Sequence, residues 1–387
     1  MFQAIYNSLS GLFSFSKSLN TVSDNVANMN TPGFRGSDDF FENIGGQHGV
    51  QIAGQGLRTT AGDLQQTGNG TDVAVDGTGF FVLRDDEGAL HYTRAGQFRF
   101  DDGGNLIDSV TQYQVMGIDA NGNLSPITLA PYRTLPAEPT TDVTLAGNLS
   151  PSDASFDVNS VKVYDAQGNA HTLDITFSNN STTTPGSYLV SVTDETGATV
   201  SPADAEIRFT TTGTLQNGYT SIALQLGDQG TAQQITLDFG TAGTFSGATN
   251  LSGLTSNISA TVTDGRPVLG IQSLSFDDKG VLQIVYSATE KQEGQQLALA
   301  SFYSESTLKL DSGRVISNAD AQRSGLGTAG SGVFGRIQDG SLEMSDIDLT
   351  QEFADMLIIQ RGYQACSRVM TVSNEMLEQL YNSTQGT

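Results

Sequence analysis

The composition of this chain limits what it can bind. Over 387 residues, 18 basic residues stand against 42 acidic ones, a formal net charge of −24. Nucleic acids and anionic membrane surfaces require a basic face, so neither is expected as a partner. A chain of this length can form two or three domains, and its single cysteine, Cys366, excludes an intrachain disulfide bond.

The sequence predicts neither a membrane-spanning segment nor a secretory signal. It has no run of about 20 apolar residues, the length a helix needs to cross a bilayer. The first residues lack a basic start, and their apolar side chains are spaced rather than continuous. We therefore expect no membrane insertion, and export by a different route if the protein works outside the cell.

A long amphipathic helix is predicted at the N-terminus. Apolar residues recur there mostly at steps of three and four, which places them on one face of a helix. They are Phe2, Ile5, Leu9, Leu12, Leu19, Val22, Val26 and Met29. Thr31-Pro32-Gly33 should end the helix, because the residue before a proline avoids helical angles and glycine permits positive φ. Such a terminal helix needs a partner helix to cover its apolar face.

Residues 36–70 are predicted to be an irregular connector with at most short strands at Gln51-Ile52 and Leu57-Arg58-Thr59, because glycines interrupt any periodicity. From Asp72 the pattern becomes that of a β protein with a recurring turn. An aspartate caps each turn with its side chain, and a glycine takes the left-handed position. The turns begin at Asp85, Asp101, Asp119, Asp165, Asp194 and Asp277. Apolar residues beside them make these turns hairpin loops of antiparallel sheets.

Turn-forming residues divide the β region into nested parts. Three prolines between 131 and 139 precede 142–264, a stretch with 12 acidic residues and two basic ones. We interpret this stretch as an inserted outer β domain. The flanking stretches 71–141 and 265–305 should together form an inner β domain. Residues 306–344 are predicted to be a second connector like the first.

A second amphipathic helix is predicted near the C-terminus. Its apolar positions include Leu349, Phe353, Met356, Tyr363, Met370 and Leu377. Asp348, with Gln351 three residues later, resembles a capping box at the start of this helix. Residues 1–35 and 345–387 should then form a coiled-coil-like terminal domain. Periodicity alone also fits an ordinary helix pair inside a globular monomer.

The predicted fold class is therefore mixed and mainly β. Antiparallel β domains are nested between N- and C-terminal helices, which join the two ends of the chain.

Specific motifs at both ends resemble one family, the axial proteins of the bacterial flagellum: rod, hook and hook-associated proteins. Ala27-Asn28-Met29-Asn30-Thr31-Pro32-Gly33-Phe34-Arg35 is similar throughout to the N-terminal signature of that family. Residues 342–349 and 360–365 are similar to its C-terminal signature. Asp346 and Cys366 each stand where the family usually has asparagine.

The resemblance implies a structural subunit that polymerises with itself into a helical tube, with terminal helices inside and β domains outside. The large insert favours a subunit of the flagellar hook, and the alternatives are a distal rod or hook-filament junction subunit. Rod and hook-associated proteins, the hook cap and the export apparatus are the other implied partners. The resemblance also implies flagellar type III export with an uncleaved N-terminus, and an extracellular location.

On this interpretation, signature residues and apolar residues of both helices form the assembly interface. They are Leu9, Leu12, Val26, Asn28, Asn30, Gly33, Phe34, Phe353, Met356, Tyr363, Met370 and Leu377. Cys366 should be a small packed residue within the second helix.

No pattern of catalytic, cofactor-binding or metal-ligating residues is found. His48, His91 and His171 lie far apart in the sequence, and we expect each at the surface. The turn at Asp101 partly resembles a calcium loop but lacks its glycine and bidentate glutamate, so a hairpin explains it better. A hydrolase on a β scaffold and a phage or pilus-like fibre are the alternatives from other classes.

Overall fold

The computed structural model describes residues 2–45, 49–119, 121–200, 202–203, 205–227, 233–311 and 314–385. The chain divides into two compact units. Unit 1 consists of Met1–Tyr132 and Ile271–Thr387, and unit 2 is the intervening Arg133–Gly270. Unit 2 extends beyond the predicted insert of 142–264 at both ends.

Each terminus forms a long helix of unit 1. Helix α1 spans Phe2–Ala27, and helix α2 spans Leu349–Gln385. Asp348 caps α2, since its Oδ1 accepts a hydrogen bond of 2.7 Å from the Thr350 N–H. Cys366 is half-buried within α2, as predicted.

Strands are the main secondary-structure elements between the two helices. Before unit 2 they are β1 (Ser37–Asn43), β2 (Val50–Leu57), β3 (Leu64–Gln66), β4 (Val73–Asp76), β5 (Phe80–Arg84), β6 (Leu90–Thr93), β7 (Phe98–Phe100), β8 (Leu106–Asp108), β9 (Gln114–Ile118) and β10 (Leu124–Pro126). Within unit 2 they are β11 (Thr134–Leu135), β12 (Asp142–Asn148), β13 (Ser155–Tyr164), β14 (Ala170–Asn179), β15 (Ser187–Thr193), β16 (Ala205–Arg208), β17 (Ser221–Leu226), β18 (Gln233–Asp238), β19 (Ala248–Thr249), β20 (Ser259–Val262) and β21 (Leu269–Gly270). After unit 2 they are β22 (Ser273–Phe276), β23 (Val281–Val285), β24 (Lys291–Phe302), β25 (Leu310–Asp311), β26 (Val315–Ser317), β27 (Arg323–Thr328), β28 (Arg336–Asp339) and β29 (Ser341–Glu343). Short 3₁₀ helices span Ala130–Tyr132, Glu305–Thr307 and Asp320–Gln322.

The main sheet of unit 1 is built from both halves of that unit. Its strand order is β22-β23-β24-β9-β5-β6-β26-β25, and the long strand β24 pairs antiparallel with β5 and β9. Phe302 of β24 packs edge-to-face against Phe80 and Tyr92, with ring centroids 5.4 and 5.0 Å apart. These aromatic contacts are favourable beyond the area that they bury. Segments on either side of unit 2 thus share one core.

Unit 2 packs two sheets around its own core. One sheet has the order β17-β18-β12-β19 with β20 also on β12, and the other has the order β13-β14-β15-β16. Phe177 and Phe239 meet in this core with ring centroids 6.1 Å apart. Strand β12 pairs in parallel with β18 and β19, whereas the other named strand pairs of unit 2 are antiparallel.

The predicted aspartate turns are confirmed. In five of the six, the aspartate Oδ1 accepts hydrogen bonds from the backbone two and four residues on, as Asp165 does from Gln167 and Asn169. The Asp101 Oδ1 accepts the bond from the backbone four residues on, that of Asn105. The glycine three residues on has positive φ, for example 84° at Gly168. Burial would raise the pKa of Asp165, but hydrogen bonds, chiefly from Asn169, lower it to about 2. The carboxylate therefore holds the turn in its charged form.

The prediction of an irregular connector over 36–70 is wrong. Strands β1 and β2 form an antiparallel hairpin there, with a bulge between Phe40 and Phe41. Gly56 serves close packing, since a β-carbon there would lie 2.7 Å from the Phe40 ring. The second predicted connector also contains strands, and two of these, β28 and β29, pair with β4 and β3.

Candidate functional site

The two terminal helices pack antiparallel through small residues. A β-carbon at Gly11 of α1 would lie 2.7 Å from the Cys366 Sγ, and one at Gly362 of α2 would lie 2.6 Å from the Phe15 ring. Glycine at both positions lets the helices approach closely. Near the other end of the seam, the Asn25 amide donates to Glu352 at 3.3 Å.

The hairpin of β1 and β2 covers a further face of α1. The Ser14 hydroxyl donates to the Val50 carbonyl at 3.0 Å, and the Thr21 hydroxyl donates to the Asp39 carboxylate at 3.2 Å. Phe15 of α1 meets Phe41 of β1, with ring centroids 6.2 Å apart. The buried face of α1 is thus largely small and polar: Ser8, Gly11, Ser14, Ser18, Thr21, Val22 and Asn25.

Large apolar side chains of both helices remain exposed. On α1 they are Phe2, Tyr6, Leu9 and Phe13, and on α2 they are Phe353, Leu357, Ile358, Tyr363, Val369, Val372, Met376, Leu380 and Tyr381. Phe2 is 78% exposed and Ile358 is 66% exposed. Exposed apolar surface of this extent marks a contact surface for a protein or a membrane. No helix in the described ranges has the length and apolar character needed to cross a membrane.

The predicted assembly residues fall into three groups in the folded subunit. Leu9, Asn30, Phe353 and Tyr363 are exposed. Leu12, Val26, Asn28, Met356, Met370 and Leu377 are half-buried. Gly33 and Phe34 are buried within their own chain, where Phe34 is 2% exposed. The contacts of Gly33 and Phe34 are thus intramolecular, and the exposed group is accessible to a second subunit.

Gly33 lies at the junction where α1 joins the β core. Its φ is +71°, a conformation that favours glycine, and a β-carbon there would clash with the backbone of Ala95. The Gly33 N–H donates to the Glu343 carbonyl at 2.7 Å. The N-terminal signature is therefore joined directly to the segment that leads into α2.

A buried charge cluster centred on Glu343 reinforces this junction. The carboxylate is 1% exposed and pairs with Arg94 at 2.6 Å and with Arg35 at 3.4 Å. Arg35 also pairs with Glu305 at 3.2 Å. Burial lowers the pKa of Arg94, and the charge of Glu343 opposes that effect. The pairing with Glu343 thus offsets part of the cost of burying the two guanidinium groups.

Arg94 also holds its own strand region through the backbone. Its guanidinium donates to the carbonyls of Val75 at 2.9 Å and Gly77 at 3.0 Å, and to that of Gly79. These bonds provide hydrogen-bond acceptors for a guanidinium group that is almost fully buried. The cluster therefore joins the start of the β core to Arg35 and to the approach to α2.

A second buried pair connects α2 to the hairpin. Glu352 of α2 is buried and pairs with Arg58 at 2.6 Å, and Arg58 also pairs with Asp38 of β1 at 2.9 Å. Burial alone would lower the pKa of Arg58, but the hydrogen bonds to Asp38 and Glu352 raise it above its ordinary value. The Asn25 amide N–H groups donate to Glu352 and to the Ser37 carbonyl, and the Asn25 Oδ1 accepts from the Ser37 N–H.

Asp346, which departs from the usual asparagine of the family, accepts a hydrogen bond of 2.8 Å from the Gly36 N–H. Burial raises the pKa of Asp346, and the bond from Gly36 acts in the opposite direction. An asparagine carbonyl could accept the same bond. The departure therefore preserves the contact between the two ends of the chain.

The prediction that every histidine lies at the surface is wrong for His91, whose side chain is 12% exposed. It bonds to Asp85 and Ser317, each at 2.9 Å, and stacks on Tyr113. The reason is that a residue six positions after a turn aspartate lies within reach of its second oxygen, as His171 does with Asp165. His48 lies outside the described residues.

The described part of this region contains buried carboxylates but no set of side chains that could hold a metal ion. No group of three or more His, Cys, Asp and Glu side chains in the described ranges could hold a metal ion. The buried carboxylates of the junction are instead engaged with arginines and backbone N–H groups.

Four family models match successive parts of the chain. Residues 5–35 match "Flagella basal body rod protein", and residues 74–149 match "Flagellar hook protein FlgE/F/G D1 domain". Residues 133–266 match "Flagellar basal body protein FlaE D2 domain", and residues 338–383 match "Flagellar basal body rod FlgEFG protein C-terminal". All four describe flagellar proteins, and the matches include both terminal helices.

Full-length flagellar hook proteins also align with nearly all of this chain. The flagellar hook protein FlgE of Salmonella typhimurium is 32% identical, and the alignment covers 97% of this chain and 98% of the relative. FlgE of Escherichia coli K12 is 29% identical, with 98% and 99% covered. FlgE of Treponema pallidum is 28% identical, with 98% of each chain covered. The resemblance to flagellar axial proteins is confirmed, and this chain belongs to the flagellar hook protein family.

Proposed function

We propose that copies of this chain, a structural subunit of the flagellar hook, join through the exposed apolar faces of α1 and α2. The resulting helical tube would be flexible and would transmit torque from rod to filament. The hook is an extracellular part of the bacterial flagellum. The activity is mechanical, and it requires no reacting side chain.

The observation that carries this proposal is the exposed apolar surface on helices whose mutual contact is already filled. Small residues such as Gly11 and Gly362 occupy the seam, and large side chains including Leu357 and Ile358 remain more than half exposed. Burying one such side chain is favourable by about 1.5–3 kcal/mol. Burial of the exposed apolar faces of α1 and α2 between many subunits therefore favours their association into an ordered polymer.

The buried junction gives the helices a fixed anchor in unit 1. Gly33, Arg35 and Glu343 connect the end of α1 with the approach to α2, and Arg58 with Glu352 connects α2 with the hairpin. A force applied to the helices would pass into the β core through charge pairs and backbone bonds rather than through a loose linker. This is the property that a torque-bearing subunit requires.

Other flagellar components are the proposed partners at the ends of the tube. They are the rod, the hook-associated proteins, the hook cap and the type III export apparatus that would deliver the chain with its N-terminus uncleaved. Hook relatives that align over nearly all of this chain favour a hook subunit over a distal rod or junction subunit.

Polymerisation of a variant tests the interface. Leu357→Asp places a charge on the exposed face of α2, where it leaves the fold of the monomer unchanged because Leu357 is 57% exposed. In a polymer the same charge would be buried without a partner, at a cost of several kcal/mol. We expect monomers that melt normally but form no tubes by sedimentation and electron microscopy.

The matched control is Leu357→Met, which keeps an apolar side chain of similar volume at the same position. It should form tubes like the unmodified chain. Normal tube formation by Leu357→Asp would contradict the proposed interface, while a failure of the unmodified chain to polymerise would contradict the proposed function itself.

A further inference from the structure

Two exposed lysines of unit 1, Lys17 and Lys309, lie at one cavity in a chain that has more than twice as many acidic as basic residues. Many described arginines of unit 1 have carboxylate partners, as Arg35, Arg58 and Arg314 do. Lys17 and Lys309 are exposed, and no described carboxylate forms an ion pair with either of them. The same is true of Lys279 and Lys291, so what distinguishes Lys17 and Lys309 is that they lie at one place in a chain of net charge −24.

Both lysines line the same cavity of unit 1, whose volume is about 420 Å³. One wall is α1, where Lys17, Asn20 and Asp24 follow at steps of three and four and so share a face. The opposite wall is formed by Leu308–Leu310. The cavity is large enough to admit side chains of another molecule.

The electrostatics of this cavity favour an anion. Its lining contains two lysines and one carboxylate, that of Asp24. The Asp24 carboxylate accepts a hydrogen bond of 3.2 Å from Asn28, one turn further along α1. Phe34 and Leu308, both buried, supply apolar surface beside the charges. A carboxylate that enters here would lie beside two exposed lysines, where the contact between opposite charges is favourable but partly screened by solvent.

We propose that this cavity, the lysine notch, receives exposed carboxylates of a second copy of this chain. The inference rests on the proposed polymerisation and names a charged contact additional to the apolar faces of the helices. Charge complementarity identifies the occupant: each copy carries 42 acidic residues, many on exposed turns, so a neighbouring copy supplies the required chemistry. The notch would set the register between copies, while apolar burial supplies most of the association energy.

Zero-length cross-linking tests the notch directly. Tubes are assembled from an equal mixture of ¹⁵N-labelled and unlabelled full-length chains and treated with a water-soluble carbodiimide, which couples amines to carboxyls already in contact. Mass spectrometry then identifies cross-linked peptide pairs. We expect Lys17 and Lys309 in pairs that combine one labelled and one unlabelled chain, and we expect these pairs in tubes but not in monomers.

Exposed lysines elsewhere in unit 1 supply the control. Lys279 and Lys291 have the same chemistry and exposure but lie outside the notch. The proposal would be overturned if mixed-label pairs were no more frequent for Lys17 and Lys309 than for the two control lysines. Pairs that join the notch lysines only to their own chain would overturn it as well.

Charge reversal gives an independent test. The double variant Lys17→Glu with Lys309→Glu should raise the critical concentration for tube formation about tenfold or more, on the scale of two partly exposed ion pairs. Added salt should bring the critical concentration of this variant closer to that of the unmodified chain, because it screens the repulsion between the new glutamates and the carboxylates of the neighbouring copy. Lys279→Glu with Lys291→Glu, which changes the net charge equally, should have a much smaller effect.

The outcomes separate the two proposals. If the unmodified chain forms tubes and both double variants do so at the same concentration, the notch is refuted and the proposed function stands. If the unmodified chain forms no tubes, the proposed function fails and the notch fails with it. Circular-dichroism melting of each variant checks that the substitutions leave the fold intact.

Discussion

Replacing Glu343 by glutamine should weaken unit 1 strongly. The Glu343 carboxylate is enclosed between Arg94 and Arg35 and also accepts a hydrogen bond of 3.2 Å from the Gly62 N–H. Glutamine has nearly the same shape, so it introduces no cavity. Glutamine removes the negative charge. Its side-chain NH₂ group would also face the guanidinium groups of Arg94 and Arg35, and all of these groups are hydrogen-bond donors.

The expected loss of unfolding free energy depends on the contacts that Arg94 and Arg35 keep in the variant. Breaking a buried ion pair by removing one partner costs about 3–5 kcal/mol. Arg94 keeps its bonds to the backbone carbonyls of β4 and the following turn, and Arg35 keeps Glu305. The lower end of that range, about 3 kcal/mol, is therefore expected.

Equilibrium urea unfolding of the monomer measures this loss. Far-ultraviolet circular dichroism follows the overall transition, and hydrogen exchange assigns it to unit 1 or unit 2. The control is Glu206→Gln, which breaks an ion pair with Arg208 whose side chains are 21% and 32% exposed, so a loss below about 1 kcal/mol is expected. Equal, small losses for both variants would refute the assignment of Glu343 as the anchor of the junction.

Three further predictions concern the seam, the histidine of unit 2 and the nested architecture. Gly362→Leu should separate the helices, because the new side chain would collide with Phe15, and hydrogen exchange of α1 should become faster. His171→Gln should remove a pH dependence of the melting temperature of unit 2. Burial would lower the pKa of His171, but hydrogen bonds to neighbouring carboxylates raise it above 6.5, so its stabilisation is complete below about pH 6.5 and is lost as the pH rises through the folded value. Replacing 133–270 by a short Gly/Ser linker should leave unit 1 folded and able to form tubes whose curvature is altered in electron micrographs.

Each of these three predictions would be contradicted by a specific result. Ala365→Leu is the control for the seam, since Ala365 is exposed; unchanged exchange in Gly362→Leu would show that the helices do not need their close approach. A melting profile of unit 2 between pH 5.5 and 8.5 that is the same with and without His171 would remove its proposed role. Loss of all folded structure on deleting 133–270 would show that the two units depend on each other.

Local features of the fold could be predicted because their causes lie within a few residues. A turn such as that of Asp165 and Gly168 needs only a capping carboxylate and a glycine at positive φ. Both terminal helices follow from apolar spacing, and Asp348 marks the start of α2. These features depend on backbone chemistry that is identical in any protein.

Long-range features could not be predicted in the same way. The pair of Arg35 and Glu343 joins positions 308 apart in the sequence, and no local pattern identifies such partners. The apolar stripe of the helices suggested a seam of large side chains, but Gly11 and Gly362 form the close contact and leave the large residues outside. The glycines of the β1–β2 hairpin likewise indicated an interruption of regular structure, because the packing of Gly56 against Phe40 is visible only in three dimensions.

The exposed signature residue Asn30 and the exposed apolar residues of the helices remain predicted assembly contacts. Gly33 and Phe34 have a different role in the folded subunit, since they hold the end of α1 against the β core. A sequence motif shared by axial proteins can thus serve folding of the subunit as well as contact between subunits.

Electron microscopy of the purified full-length chain under polymerising conditions tests the central claim most directly. The account predicts hollow, curved tubes, formed by the unmodified chain and by Leu357→Met but not by Leu357→Asp. Monomers or irregular aggregates from the unmodified chain, or identical tubes from Leu357→Asp, would contradict it.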